Sequence, residues 1–249
     1  MMKNSHSAFL PLLNDLIDLA TRQKSIGCPI KVVFDIDSTL FDVSHRICEI
    51  LRDFAKLPEV LLKYPKEAET LSKLVPDIDD FGVKRTLARH GFVWPSHDFA
   101  FQIVSFWKTH FFANTYLHHD KPYMGAKEFV CALFNAGADI SYLTGRDVPR
   151  MWNGTLESLK QCGFPLDNDH ANLVLKPNSD ITDVEFKRNY FKQLGGASNP
   201  IWFFENEPAN IHEVMEHCPH VKIIFVNTVH SESAPPPPDS IERISNYII

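Results

Sequence analysis

The chain has 249 residues, 44% of them apolar and 22% charged, and a formal net charge of -6 at pH 7. That is the composition of an ordinary soluble globular protein, long enough for one large domain or for one carrying a smaller insertion. It gives no general pull toward nucleic acid or an anionic membrane, and the scattered Cys28, Cys48, Cys131, Cys162 and Cys218 show neither a CxxC zinc spacing nor a disulfide framework.

In chain order, Leu10, Leu13, Ile17 and Ala20 recur at helical spacing and predict a helix over 6–23 within an N-terminal segment 1–29. Asn14, Asp15 and Asp18 form its polar side, so no secretory pattern is present. No run approaches the roughly 18 apolar residues of a membrane helix, and a cytoplasmic, membrane-free protein is expected. Ile26-Gly27-Cys28-Pro29 breaks the helix and leads into a strand, 31–36, that ends in Asp35 and Asp37. Residues i and i+2 of a strand face the same side, so both carboxylates can address one site. Two anions held together call for a divalent cation or a shared proton.

Residues 44–119 lack strand character. The segments 47–57, 66–73, 83–90 and 99–109 read as helices between Pro- and Gly-containing turns, and Phe92, Trp94, Phe99, Phe101, Phe106, Trp107, Phe111 and Phe112 supply a separate small core. The α/β pattern resumes with a helix over 125–136 stopped by Gly137, and then a strand over 139–143 that runs into Thr144-Gly145-Arg146-Asp147. A helix over 149–161, a strand over 172–175 and a helix over 183–194 closed by Gly195-Gly196 follow. Strand 201–204 runs into Glu205-Asn206-Glu207-Pro208, ahead of a helix over 208–217 and a strand over 221–226. Alternating strands and helices imply an α/β fold with a doubly wound parallel sheet of five core strands. The tail, 235–249, opens with the stiff spacer Pro235–Pro238, and the segment 241–248 is expected to dock on the core.

Polar residues follow three of these strands: Asp35 and Asp37, Thr144, and Glu205 with Asn206. In a parallel sheet all three sets share one edge, where open α/β sheets place their ligands. Taken singly, each has a plain structural reading. Thr144 suits a helix N-cap, Lys187 a solvated helix face beside Arg188 and Lys192, and Asp147 a cap or hinge.

Together the segments resemble, in order, the four motifs of the haloacid dehalogenase-like (HAD) superfamily. Asp35-Ile36-Asp37-Ser38-Thr39-Leu40 is similar to the first motif, DxDx[TV]L; Leu143-Thr144-Gly145-Arg146-Asp147 to the second; Lys187 to the third; and Phe203-Phe204-Glu205-Asn206 to the acidic fourth. The resemblance covers 31–43 and about 120–227, and it implies a Rossmannoid core (1–43 and 120–249) with an inserted helical C1-type cap at 44–119. It further implies a Mg²⁺-dependent phosphohydrolase acting on a small phosphorylated metabolite. In that reading Asp35 attacks phosphorus and Asp37 exchanges protons with the leaving group and water. The second Asp marks the family's phosphatases and is lacking in its dehalogenases. Thr144, Gly145 and Lys187 hold the phosphoryl group, and Mg²⁺ is held by Asp35, the Asp37 main-chain carbonyl and Glu205.

Several points stay open at this level. Lys176, in a Lys-Pro context, rivals Lys187 as the site lysine. Glu205-Asn206 departs from the usual Asp-led acidic motif, which leaves room for a non-catalytic phosphometabolite-binding or regulatory protein. Glu207 is either a partner of the metal site or a carboxylate favoured by a helix dipole. Arg46, in Ser44-His45-Arg46, is read either as a ligand for an anionic leaving group or as half of an ion pair. The triplet also resembles one in phosphatase domains of phage polynucleotide kinases, and with the basic Lys84, Arg85, Arg89 and His90 it raises a nucleic-acid 3′-end phosphatase. The net charge and large cap weigh against that. His118-His119-Asp120 reads as a hydrated loop. Oligomeric state is not legible.

Overall fold

The computed structural model describes residues 9–167, 169–195 and 199–249. Residues 6–8 of the expected first helix and Gly196 of the expected Gly195-Gly196 stop lie outside them. In chain order the elements are α1 (Phe9–Ser25), β1 (Lys31–Phe34), β2 (Phe41–Asp42), α2 (Ser44–Ala55), α3 (Pro58–Lys63), α4 (Pro65–Ser72), α5 (Gly82–Arg89), α6 (His97–Phe111) and a 3-10 turn, Asn114–His119. There follow β3 (Lys121–Pro122), α7 (Ala126–Ala136), β4 (Asp139–Asp147), α8 (Val148–Gln161), β5 (Ala171–Lys176), α9 (Asp183–Gln193), β6 (Ile201–Glu205), α10 (Pro208–His217), β7 (Val221–Val226) and β8 (Glu242–Ile244).

The main sheet has the order β5-β4-β1-β6-β7-β8, and every pairing in it is parallel. It therefore contains six strands where five were expected. The sixth, β8, is three residues long with one buried side chain, Ile244, so it carries no alternation for a sequence to display. It pairs with Ile224–Val226 of β7, which gives the expected docking of the tail a definite form. From β1 the chain builds outward through β4 to β5, then returns to β1's other edge to build β6, β7 and β8. The strand order thus reverses at β1, and the C-terminal ends of β4, β1 and β6 frame the crevice that such a reversal opens.

Two compact units emerge. The first comprises the described residues through Phe41, Pro122–Pro149 and Leu159–Ile249; the second comprises Asp42–Lys121 and Arg150–Ser158. The insertion expected at 44–119 is thus joined in its unit by the middle of α8. In the first unit one core, with Val32, Phe34, Phe129, Tyr142, Phe204 and Tyr247, covers one face of the sheet; a second, with Val33, Leu143, Phe191, Phe203 and Val214, covers the other. Period-2 alternation along β1 sends Val32 and Phe34 to one core and Val33 to the other. Phe34 stacks on Phe204 at 4.7 Å between ring centroids, which locks β1 to β6 one residue before the site.

The second unit packs α2 to α6 around Ile47, Leu51, Phe54, Leu71, Leu87, Phe99 and Ile103. Two of its elements, α3 and the 3-10 turn, were not foreseen. Helix α3 is six residues long and begins at Pro58, which suits a first helical position but offers too few turns for a periodic signal.

Candidate active site

Three adjacent strands deliver the candidate residues. Register pairs Phe34 of β1 with Tyr142 of β4 and with Phe204 of β6, and the Asp35 N–H donates to the Phe204 carbonyl at 3.0 Å. Asp35 therefore leaves the sheet beside Glu205. The chain then turns sharply. The N–H groups of Leu40 and Phe41 both donate to the Ile36 carbonyl, at 2.9 and 3.0 Å, and the Ser38 N–H donates to the Phe41 carbonyl at 2.8 Å. Ser38 takes a left-handed conformation with φ of 60°, uncommon for a residue with a side chain and a recurrent sign of a functional turn. Two long-range contacts hold this turn. The Tyr247 hydroxyl donates to the Thr39 carbonyl at 3.1 Å, and the Thr228 hydroxyl donates to the Ser38 carbonyl.

Lys187 is the hub. Thr182 caps α9 by accepting the Glu185 N–H at 3.2 Å, and four residues beyond Lys187 on the same helix face Phe191 packs against Phe203 at 4.7 Å. That registration aims the Lys187 ammonium at the strand ends, where it donates to Asp35 Oδ1 and to Glu205 Oε2, each at 2.6 Å. All three side chains are withdrawn from solvent, with Lys187 only 2% exposed. Burial lowers the Lys187 pKa, but Asp35 and Glu205, with Asp183 behind them, outweigh it and raise the pKa above its ordinary value. For Asp35, burial dominates and pushes the carboxyl up to about 7; Lys187 opposes the shift, while Glu205 and Asp37 add to it. The rival Lys176 instead donates to Asp183 Oδ1 at 2.6 Å. Lys187 is thus the lysine that meets Asp35.

Asp37 lies under a cation that sequence reading passed over. Arg146 donates Nη2–H to Asp37 Oδ1 at 2.6 Å and Nε–H to Oδ2 at 3.1 Å. The pairing of β4 with β5 shifts register between Thr144 and Asp147, so Gly145 and Arg146 bulge from the ladder and the guanidinium is re-aimed. Sequence shows an arginine directly after the strand-end Thr144-Gly145, but its aim at Asp37 is set by the bulge. Thr144 Oγ1 accepts the Arg146 N–H at 3.2 Å, which leaves its hydroxyl proton for another acceptor. A Cβ at Gly145 would stand 2.1 Å from Asp183 Oδ2, so a side chain there would require the Asp183 side chain to move off Lys176.

Glu205 is 0% exposed, and its contacts define what it can do. Oε1 accepts the N–H groups of Asn206 at 3.0 Å and of Glu207 at 2.9 Å. Oε2 accepts from Lys187 at 2.6 Å and from the Asn210 side-chain amide at 3.1 Å. A carboxylate has about four lone-pair sites, and here all are engaged. Asn206 is equally committed: its Oδ1 accepts the Thr39 hydroxyl at 3.0 Å, and its amide donates to the Val229 carbonyl at 2.6 Å. Glu207 turns the other way and accepts from the Ser231 N–H at 3.0 Å and the Ser231 hydroxyl.

The ligand set expected for Mg²⁺ (Asp35, the Asp37 main-chain carbonyl and Glu205) does not fit this arrangement, because the lone-pair sites of Glu205 are all engaged by N–H donors. Among the described residues, no group of three or more His, Cys, Asp or Glu side chains is placed to hold a metal ion.

Arg46, expected near phosphate, is engaged elsewhere. Within the helical unit its guanidinium pairs with Asp120 at 3.0 Å, both side chains 0% exposed, donates to the Phe111 carbonyl at 3.2 Å and lies 3.9 Å from the Phe111 ring centroid. A fully buried guanidinium needs such a partner, and this replaces the ligand role with the ion pair. The basic residues of α5 divide similarly. Arg89 is held by Asp80 at 2.8 Å, while Lys84 and Arg85 are exposed. His118 and His119 contact each other ring to ring at 3.9 Å.

No protein-family model matches the chain, and no curated protein matches it. Solved structures do. The Mycobacterium tuberculosis protein tyrosine kinase A is similar at a TM-score of 0.55 and 13% identity, over 88% of this chain and 94% of that one. A HAD-superfamily hydrolase from Ehrlichia chaffeensis is similar at a TM-score of 0.49 and 10% identity, over 88% and 93%. A haloacid dehalogenase-like hydrolase from Streptococcus pneumoniae is similar at 0.48 and 11%, over 79% and 83%. The chain has the expected α/β fold, a parallel Rossmannoid sheet with its carboxylates at the C-terminal end of the central strand, and shares its fold with the tyrosine kinase A structure.

Proposed function

We propose that the chain is a phosphohydrolase that cleaves a phosphate monoester of a small phosphorylated metabolite through an aspartyl-phosphate on Asp35. The observation that carries this reading is the Lys187 ammonium, held 2.6 Å from Asp35 Oδ1 beside the strand ends that also bear Asp37 and Thr144. Asp35 supplies the nucleophilic carboxylate oxygen, and Lys187 stabilises charge that builds on the nucleophile and the phosphoryl group. Thr144 directs its free hydroxyl proton to a phosphoryl oxygen. Asp37 provides a proton to the leaving oxygen and then takes one from the water that hydrolyses the aspartyl-phosphate, with Arg146 fixing its orientation. The helical unit, inserted between the segments that bear Asp37 and Thr144, serves as the cap that excludes water and selects substrate. No helix among the described residues is long and apolar enough to cross a membrane, and the proposed setting is the cytoplasm.

The test is hydrolysis of a generic aryl phosphate and of a phosphometabolite panel by the parent and by Asp35→Asn. Turnover that disappears with Asp35 supports the reading; equal rates from both proteins remove it.

A second reading, a non-catalytic phosphometabolite-binding protein, is favoured by the neutral side-chain amide of Asn210, which stands on Glu205 where an acid would strengthen a metal site, and by Asn206 in place of an acid beside it. It predicts phosphometabolite binding without turnover in the parent.

A further inference from the structure

We propose that Glu205 is a positioning residue for Lys187 and not a metal ligand, an inference that rests on the hydrolase reading for its kinetic consequence alone. Three observations carry it. Glu205 is wholly buried and accepts four hydrogen bonds, two on each oxygen, which fills its lone-pair sites. Its extra methylene relative to Asp is used: Oε1 folds back onto the Asn206 and Glu207 N–H groups ahead of α10 while Oε2 stays on Lys187. The Lys187 ammonium is shared between Asp35 and Glu205 at 2.6 Å each, so removing the Glu205 contact frees the ammonium from its second anchor.

A hard cation such as Mg²⁺ requires a carboxylate oxygen at about 2.0–2.1 Å in near-octahedral geometry. At Glu205 it would have to displace either a buried ammonium or a buried N–H, and both are costly to leave unpaired. An Asp at this position is one methylene shorter, while the Glu205 carboxylate spans from the two backbone amides to Lys187. Glu at 205 therefore fits the anchoring task, and the main-chain N–H of Asn206 with the neutral side-chain amide of Asn210 completes an anchor rather than a cation cage.

The experiment compares the parent with Glu205→Asp and Glu205→Gln, reading Mn²⁺ affinity by electron paramagnetic resonance on chelator-treated protein and, separately, kcat and KM on an aryl phosphate. The expected result is Mn²⁺ affinity, or its absence, equal in all three proteins, with kcat lowered on the order of a hundredfold in both variants through misplacement of Lys187. If Glu205 is a ligand instead, Glu205→Gln loses Mn²⁺ affinity and Glu205→Asp keeps or improves both affinity and turnover; either finding overturns the proposal. A parent that turns over no phosphate ester removes the hydrolase reading, while the Mn²⁺ comparison still decides the role of Glu205. Should Glu205→Gln fail to fold, Glu205→Asp carries the same contrast.

Discussion

Arg146 grips Asp37 with two guanidinium N–H groups, 2.6 Å to one carboxylate oxygen and 3.1 Å to the other, and Arg146 is almost wholly buried while Asp37 keeps 30% of its side chain exposed. The carboxylate proposed as proton donor is thereby fixed by Arg146 while part of it still meets solvent. Arg146→Lys keeps the charge but cannot reproduce the planar fork. It is expected to lower kcat by about 10–100-fold through misorientation of Asp37. Steady-state kinetics with the circular-dichroism spectrum as a folding control checks this; an unchanged kcat would show that the clamp has no kinetic role.

Lys187 joins two buried carboxylates, so removing it leaves two anions facing each other. Lys187→Met is expected to destabilise the fold by about 3–5 kcal/mol and to abolish turnover. Urea unfolding supplies the first number and an aryl-phosphate assay the second. Unaltered stability would mean the two carboxylates neutralise by some other route.

The raised pKa of Asp35 gives two opposed pH trends in metal-free protein. The nucleophile must be anionic, so kcat/KM is expected to rise with pH through about 7. Stability runs the other way. A carboxyl whose folded pKa stands above its unfolded value of about 3.9 contributes stability that is full below that value and lost as pH rises through the folded pKa. Asp35→Asn has no such titration, and its urea midpoint relative to the parent should climb as pH rises from about 5 to about 8. A difference that ignores pH would place the Asp35 titration outside this window.

In the helical unit, Arg46 and Asp120 are both sealed from solvent. Arg46→Ala is expected to cost about 3–5 kcal/mol by stranding Asp120, and Arg46→Met combined with Asp120→Leu to recover most of that loss. Urea denaturation of the parent and these two variants tests it. If Arg46→Ala leaves stability unchanged and weakens substrate binding instead, Arg46 returns to the ligand role.

The positions of the catalytic candidates were legible because they depend on local pattern. An apolar run ending in Asp35-x-Asp37, or a strand ending in Thr144, marks a sheet edge whatever the tertiary detail. Hydrogen-bond inventory is different. That Glu205 Oε1 folds back onto two backbone N–H groups depends on how β6 enters α10, and no side-chain spacing encodes it. The fate of Arg146 rests on a two-residue bulge, and the choice of Lys187 over Lys176 on the registration of α9 through Phe191. Arg46 kept two readings because one guanidinium suits a phosphate or a buried carboxylate equally well; only the placement of Asp120 separates them. Strand β8 went unread because three residues with one apolar side chain leave no period.

The hydroxyl of Tyr247 braces the carbonyl of Thr39, so during synthesis this turn waits for a residue added more than two hundred positions later. On the ribosome the strand carrying Asp35 emerges long before its brace. Until Tyr247 clears the exit tunnel, the Asp37 turn lacks that contact and β7 has no β8 on its outer edge. A nascent chain is therefore expected to hold this turn unbraced until Tyr247 is free to fold back, and a substitution at Tyr247 acts on the Asp37 turn across more than two hundred residues of sequence.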